Sequence, residues 1–596
     1  MTMVAEPVFL PNKGIDLTKP EQFLNKQLSP YSRNMMFENE RIQGRPGFIE
    51  FDAYAFPDAI LLVDQFWKED SSYDLMVCTA RDVAKYDFGN TRYDFLTPLY
   101  TTGTIEVQVG TPTILRGTGT SWLANIAVGD FVKLGAGSVH SDSTWYEVTV
   151  VTSNVLLTVA SAMPTTAAGA SYVARQTFDG SDTDLWSRTE FLDDNLGEIW
   201  CATNGIDTPI YYDGTGQVQF FTGLPTGFTT AKYISQFFNR IVFGWCVEGG
   251  QNQPIRIRWC QPSDITDWDD LHVNDLEQPD FTYWIVGMTV FNDYMIIPKE
   301  GGAYVMRPVD SDAIFEFAFT SIFLGNFAAF SVINIGGSIY YFGYENRFRK
   351  ATLIDDTPLF DPIAPFTRAL DPNLAQFIYG YQLEYKDQIR WMLPYDSGNG
   401  VQPVVYFDYK EKVIEIWEYV HAEGFGCIGE YLNVTDLYVD DAVWGEYYVD
   451  EQDDYWDARS FAANAPIILY GGRDGIVYTA DIGLTDNGEV YPRILDTARL
   501  DFKKPHIRKR MFRQQWWFDK ETSGTATIKM KKDDKSTFEP TTKEIDLTSA
   551  LKDIIKKTIT WDKDFENVKM RVEANNHFAL HGFINWMSDK GRTFKK

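Results

Sequence analysis

The sequence predicts an all-β protein: a β-propeller of about six to eight blades, with an inserted small β-barrel or sandwich and a C-terminal β-sandwich. Three observations lead there. A strand–turn–strand unit returns seven times, aromatics make up 15% of the chain among glycine-rich turns, and apolar residues alternate with the period of a strand almost everywhere. Aromatic and β-branched side chains suit the pleated, half-buried surface of a sheet. The chain has 17 Trp, 32 Tyr and 42 Phe, enough to fill several cores.

Residues 1–50 precede the first repeated unit. Residues 51–102 form a first propeller segment, whose repeated unit begins at Tyr73 (YDLMVCTARDVAKYDF). Residues 103–176 interrupt the repeat with short strands of their own (TIEVQV, FVKL, WYEVTVV, VLLTV) and predict the inserted β-domain. Residues 177–498 resume the propeller, with units beginning at Glu198, Arg240, Asp293, Gly337, Gln388 and Ala465. The first five of these are 42, 53, 44 and 51 residues apart, the period expected of blades. In each unit an apolar strand meets a Gly-, Asn- or Asp-rich turn, and an alternating strand follows. Residues 499–596 predict a basic C-terminal sandwich, its alternation clear from about Arg508 (MFRQQWWFD, TATIKMK, VKMRVEA, FALHGFINWM). Only Leu547–Lys557 carries any helical period.

At 596 residues the chain is long enough for two to four domains, and a charged fraction of 23% fits a packed chain. The net charge of −29 argues against a general nucleic-acid binder. The charge is unevenly spread: residues 499–596 hold 23 Lys and Arg against 14 Asp and Glu, while 1–498 hold 31 against 69. Cys78, Cys201, Cys246, Cys260 and Cys427 are scattered singly, which fits neither a disulfide framework nor a zinc site and suits a reducing cytoplasm. The opening MTMVAEPVFLPNKGID lacks the basic and apolar regions of a signal peptide. Phe317–Tyr344 has no charged residue, but its glycines and short alternating runs predict a buried strand pair and not a membrane span.

Several segments resemble the tail nozzle, or hub, proteins of short-tailed bacteriophages. They are GIDLTKPEQFLNKQLSPYSRNMMFENERIQGRPGF (Gly14–Phe48) with its Arg-Pro-Gly-Phe turn, NGIDTPIYYDGTG (Asn204–Gly216), and FFNRIVFG with IRIRWCQPSDITDW (Phe237–Trp268). GTGTSWLANIAVGDFVKL (Gly117–Leu134) and the C-terminal KRMFRQQWWFD…FALHGFINWMSDKGR are similar to the small β-domain and closing sandwich of such proteins. The resemblance implies an extended N-terminal arm over residues 1–50, and a structural, non-enzymatic subunit, with no cofactor, in a homo-oligomeric ring (six copies in short-tailed phages). The ring would sit in the virion tail below the portal and adaptor, among other tail proteins, after assembly in the host cytoplasm. Double-stranded DNA would pass through it transiently during genome ejection, without sequence-specific binding. Carboxylates lining the bore would repel phosphate, and the acidic run Asp450, Glu451, Asp453, Asp454 and Asp457 supplies the channel-lining candidates. As a calcium loop that run lacks the EF-hand spacing.

Two other functions are carried as alternatives. One is a tail-tip receptor binder that contacts the host surface through exposed aromatics. The other is a propeller-type glycan depolymerase, for which Asp264, Asp267, Asp269 and Asp270 beside Trp268 would be the carboxylates. Phosphate-cradling, nucleophile-elbow and zincin motifs are absent from the sequence. His577 and His581, if on one strand, lie about 13 Å apart, too far to share a zinc ion.

Overall fold

The computed structural model describes residues 3–8, 10–38, 41–70, 72–137, 139–277, 283–310, 314–320, 328–396, 398–432, 466–533, 535–548 and 553–591. Its contacts divide into two compact units. One comprises Met1–Ile49, Phe330–Gly424 and Thr479–Lys596, the other Glu50–Ala329 and Phe425–Tyr478.

Seven four-stranded antiparallel sheets follow one another among the described residues, the strand order of a β-propeller. Blade 1 runs Ile60–Trp67, Tyr73–Thr79, Val83–Asp87 and Arg92–Phe95. Blades 2, 3 and 4 begin with Ser187–Asp193, Phe228–Phe237 and Thr289–Phe291, and blades 5 and 6 with Ile333–Ile335 and Tyr379–Leu383. Blade 7 takes Phe425–Tyr431, Ile467–Gly472 and Val477–Ala480, and its fourth strand is Phe48–Glu50 from the start of the chain. A strand from the opposite end of the sequence thus covers an edge that would otherwise lie open.

Each of the seven units read in the sequence corresponds to the two middle strands of one blade, such as Arg240–Glu248 with Gln251–Trp259 and Gln388–Met392 with Val401–Asp408. Middle strands are covered on both faces: Tyr73–Thr79 is buried at every position but the first. Between blades 2 and 3 the filler is aromatic and aliphatic, with Phe191, Ile199, Ile241, Phe243 and Trp268 in one cluster.

The insert forms one seven-stranded sheet between Leu99–Tyr100 and Tyr172–Arg175. Ile105 and Ala170 exchange backbone hydrogen bonds of 2.8 and 3.1 Å, bringing the sheet round on itself. Trp122, fully buried, fills this small barrel and donates to the Tyr172 hydroxyl at 2.9 Å. Arg175 fastens the insert to blade 1: buried beside Asp82 (3.0 Å), its guanidinium lies 3.6 Å from the Phe95 ring centre.

The C-terminal region holds two sheets, and here the arm departs from expectation. Met35–Glu38 and Arg41–Gly44 join the sheet of Arg508–Asp519, Ile554–Phe565 and Ala579–Gly591, and Val4–Val8 pairs with the last of these. Ser32–Arg33 joins the second sheet, with Arg493–Asp496, Val568–Ala574, Thr525–Lys532 and Lys543–Asp546. The strands between Val4 and Gly44 therefore pair into the C-terminal sheets, and Phe48–Glu50 into blade 7. Two- to five-residue strands are too short to show a period in sequence, and they are stable only because long strands elsewhere offer them pairing edges. Trp516 stacks on Phe583 at 4.0 Å in the core of this region.

One further expectation is corrected. The weak helical period ending at Lys557 gives way where it is described: Ile554–Phe565 is a strand, aligned along Arg508–Asp519, and tertiary pairing overrides the period there. The strand pair expected within Phe317–Tyr344 lies at Ile333–Ile335 and Ser338–Gly343. Phe315–Thr320 closes blade 4, and Ile333–Ile335 with Ser338–Gly343 opens blade 5. No helix among the described residues is long and apolar enough to cross a membrane.

Candidate functional site

The Arg-Pro-Gly-Phe turn is densely bonded. Arg45 is fully buried and uses all five of its N–H groups. Two form a fork on Asp486 (2.8 and 2.6 Å), and Nε donates to the Asn34 side-chain oxygen at 3.0 Å. The remaining two reach the carbonyls of Pro46 (2.8 Å) and Glu418 (2.7 Å). Burial alone would lower the Arg45 pKa, but the facing Asp486 carboxylate outweighs it and holds the guanidinium above its ordinary value. The same carboxylate accepts from the Val420 backbone N–H at 2.8 Å. One ion pair thereby ties the N-terminal strands, the last strand of blade 6 and the 484–493 segment together.

Aromatic rings complete the clamp. The Arg45 guanidinium lies 4.1 Å from the Tyr419 ring centre and 3.7 Å from that of Tyr491, and Arg493 lies 4.0 Å from the Tyr491 ring. Arg493, also fully buried, donates to the carbonyls of Asn575 (2.9 Å) and Leu484 (2.8 Å), and burial pushes its pKa down. The glycines are needed for close approach: a Cβ at Gly47 would sit 1.8 Å from the Thr485 carbonyl oxygen, and one at Gly44 would sit 2.4 Å from Arg493.

Beside the clamp lies a cavity of about 340 Å³, walled by Phe37 and Pro46 on one side and by Arg390, Glu415, Trp417 and Asp481 on the other. Arg390 is buried under the Tyr406 ring (4.6 Å) and pairs with Asp481 at 2.5 Å, and Lys386 pairs with the same oxygen. Burial works to raise the Asp481 pKa, yet the charges of Arg390 and Lys386 prevail and hold it down at about 2. Glu415 accepts from the Phe37 N–H and from the Trp417 indole, both at 2.7 Å. The Glu415 carboxylate, bonded to the Phe37 backbone, seats the strand Met35–Glu38 against blade 6.

The channel-lining candidates Asp450, Glu451, Asp453, Asp454 and Asp457 lie outside the described residues. Two carboxylates of the depolymerase alternative bond within their own loop. Asp264 caps its own turn, accepting from Thr266 N and Oγ1 (2.8 and 2.7 Å), and Asp269 accepts from Leu271 N at 2.8 Å. Trp268 stacks on Phe243 in the blade core (4.9 Å, 7°) and donates to the Ile265 carbonyl. His577 pairs with Glu521 (2.8 Å) and His581 with Asp519 (2.5 Å). Among the described residues no three His, Cys, Asp or Glu converge as a metal site. All five cysteines are free and buried. Sequence reading found Arg45 through its turn but missed Asn34, Asp486 and the Arg390–Asp481 pair, which carry no local signal.

The fold and site together define a β-propeller whose N-terminal strands are locked into its C-terminal sheets. No protein-family model matches the sequence, and no curated protein matches it. Among solved structures, the chain is similar to a catalytically inactive virginiamycin B lyase from Staphylococcus aureus with quinupristin. That likeness has 9% identity, a TM-score of 0.32, and coverage of 72% of this chain and 98% of that one. It is also similar to a structure described as a glycoside hydrolase, with 12% identity, a TM-score of 0.20, and coverage of 61% of this chain and 98% of that one.

Proposed function

We propose that the protein is a structural subunit of a bacteriophage tail, part of a nozzle or hub ring through which the genome leaves the particle. The observation that carries this reading is the Arg45 clamp. The Arg-Pro-Gly-Phe turn, one of the segments that carry the family resemblance, is built into the fold by five hydrogen bonds and two ring contacts. The division into an acidic body and a basic C-terminal region adds to it, because subunits that meet head to tail need unlike surfaces. Negative-stain imaging of the purified full chain tests the proposal. Closed rings with a central hole are the expected result, and monomers or open filaments under all assembly conditions would overturn it.

A further inference from the structure

The sheet of Arg508–Asp519, Ile554–Phe565 and Ala579–Gly591 turns one face to its core and the other to solvent. Met511, Gln514, Trp516 and Phe518 point inward, while Arg513, Gln515 and Trp517 point outward. Register fixes what surrounds these three. Arg513 lies between Thr560 and Trp586, Gln515 between Thr558 and Ile584, and Trp517 between Lys556 and Gly582. Pairing with Val4–Val8 extends the face by Ala5 beside Trp586 and Pro7 beside Ile584. The result is a face of two tryptophans, two cations and uncharged residues, bounded by Asp519 and Asp562, which pair with His581 and Arg510.

We propose that this face docks against the acidic surface of a second copy of the chain. The charge pattern comes first. Arg510 pairs with Asp562 at 2.5 Å, Lys504 with Asp589 at 2.7 Å and Lys590 with Asp564 at 2.6 Å, so these three cations beside the face are neutralised. Arg513 on an inner strand and Lys556 on the edge strand are both exposed and have no ion pair among the described residues. Each is instead held over an indole, Arg513 at 4.6 Å from the Trp586 ring and Lys556 at 5.5 Å from that of Trp517. A cation fixed over a ring is pre-positioned, and it loses little freedom when a carboxylate arrives.

Shape and composition agree. A Cβ built on Gly582 would meet nothing within 4 Å, so a partner can approach the sheet beside Trp517. Tryptophan and arginine are the residues that most often anchor interfaces. The complementary surface is at hand in the chain itself, whose residues 1–498 carry 69 Asp and Glu against 31 Lys and Arg. Duplex DNA fits less well, because two cations among Ile584, Pro7 and Ala5 offer few phosphate contacts.

The inference rests on the ring proposed above and names the face that builds it. Sedimentation and negative-stain imaging of the full chain, over a range of salt, compare wild type with the double variant Arg513→Glu, Lys556→Glu and with Trp517→Ala. Wild type should assemble, and added salt should weaken it. The double variant should need at least about tenfold more protein to assemble, with an unchanged melting curve because both side chains are exposed. Trp517→Ala should assemble more weakly without a change in salt dependence. Variants that form rings as readily as wild type would overturn this face and leave the tail reading standing, whereas a wild type that never assembles would overturn both. Loss of duplex-DNA binding in the double variant, with assembly intact, would also overturn it by giving the face to nucleic acid.

Discussion

Arg45→Ala removes the cation from the clamp and leaves Asp486 buried, with its side chain fully shielded from solvent. Breaking a buried pair on one side costs about 3–5 kcal/mol, because the remaining charge has no counterpart. Loss of the contacts to Tyr419 and Tyr491 falls within the same effect and is not added to it. Arg45→Lys keeps the charge but cannot form the fork on Asp486 while also reaching Asn34 and Glu418, so a smaller loss of about 1–3 kcal/mol is expected. Pairing Arg45→Met with Asp486→Asn should be less harmful than the sum of the single changes, since neither residue is then left charged and alone. A chain with this many sheets will not unfold in one step, so hydrogen exchange of residues 32–48 and 484–493 is the measurement to make. Arg45→Ala should raise their exchange rates by two to three orders of magnitude or about that, while blade 1 stays protected. Unchanged exchange in these segments would refute the view that the clamp holds the N-terminal strands in place.

Three further outcomes follow from other sites. Asp481, held at about 2, contributes stability that is complete above the unfolded carboxylate pKa and is lost as pH falls through about 2; Asp481→Asn should flatten that acid limb and cost about 2 kcal/mol at neutral pH, read from denaturation across pH. Lys299 is buried, donates to the Leu276 carbonyl, and is pushed down by that burial to about 8. Its folding penalty is therefore full below pH 8 and relieved as pH rises toward the ordinary lysine value, and Lys299→Met should abolish this alkaline gain in melting temperature. Phe238 is exposed at the tip of the blade 3 hairpin with a φ of +50°, followed by Asn239 at +58°; Phe238→Asn should stabilise the protein by about 1 kcal/mol, and a lower melting temperature would show that the ring packs usefully where it stands.

Much of the fold is legible in the sequence because the middle strands of blades are buried on both faces. Runs such as YDLMVC and PVVYF record that burial directly. The outer strands are not legible: Gln219–Phe220 is exposed at both positions and Val273–Asp275 is only partly covered, so no alternation marks them. The same contrast holds at the site. Gly44, Arg45, Pro46, Gly47 and Phe48 announce a turn by composition, since glycine and proline act on the backbone they occupy. Nothing local announces that Arg45 will meet Asp486, 441 residues away, or that Trp268 will stack inside a core and not line a cleft. By itself the sequence determined the all-β class, the seven repeated units, the place of the insert and the charge asymmetry, because periodicity and composition are local properties. Only the tertiary structure decided that strands within the first fifty residues complete the C-terminal sheets and the last blade, and which buried charges pair, because short strands and isolated ions gain their stability from partners that the chain brings together on folding.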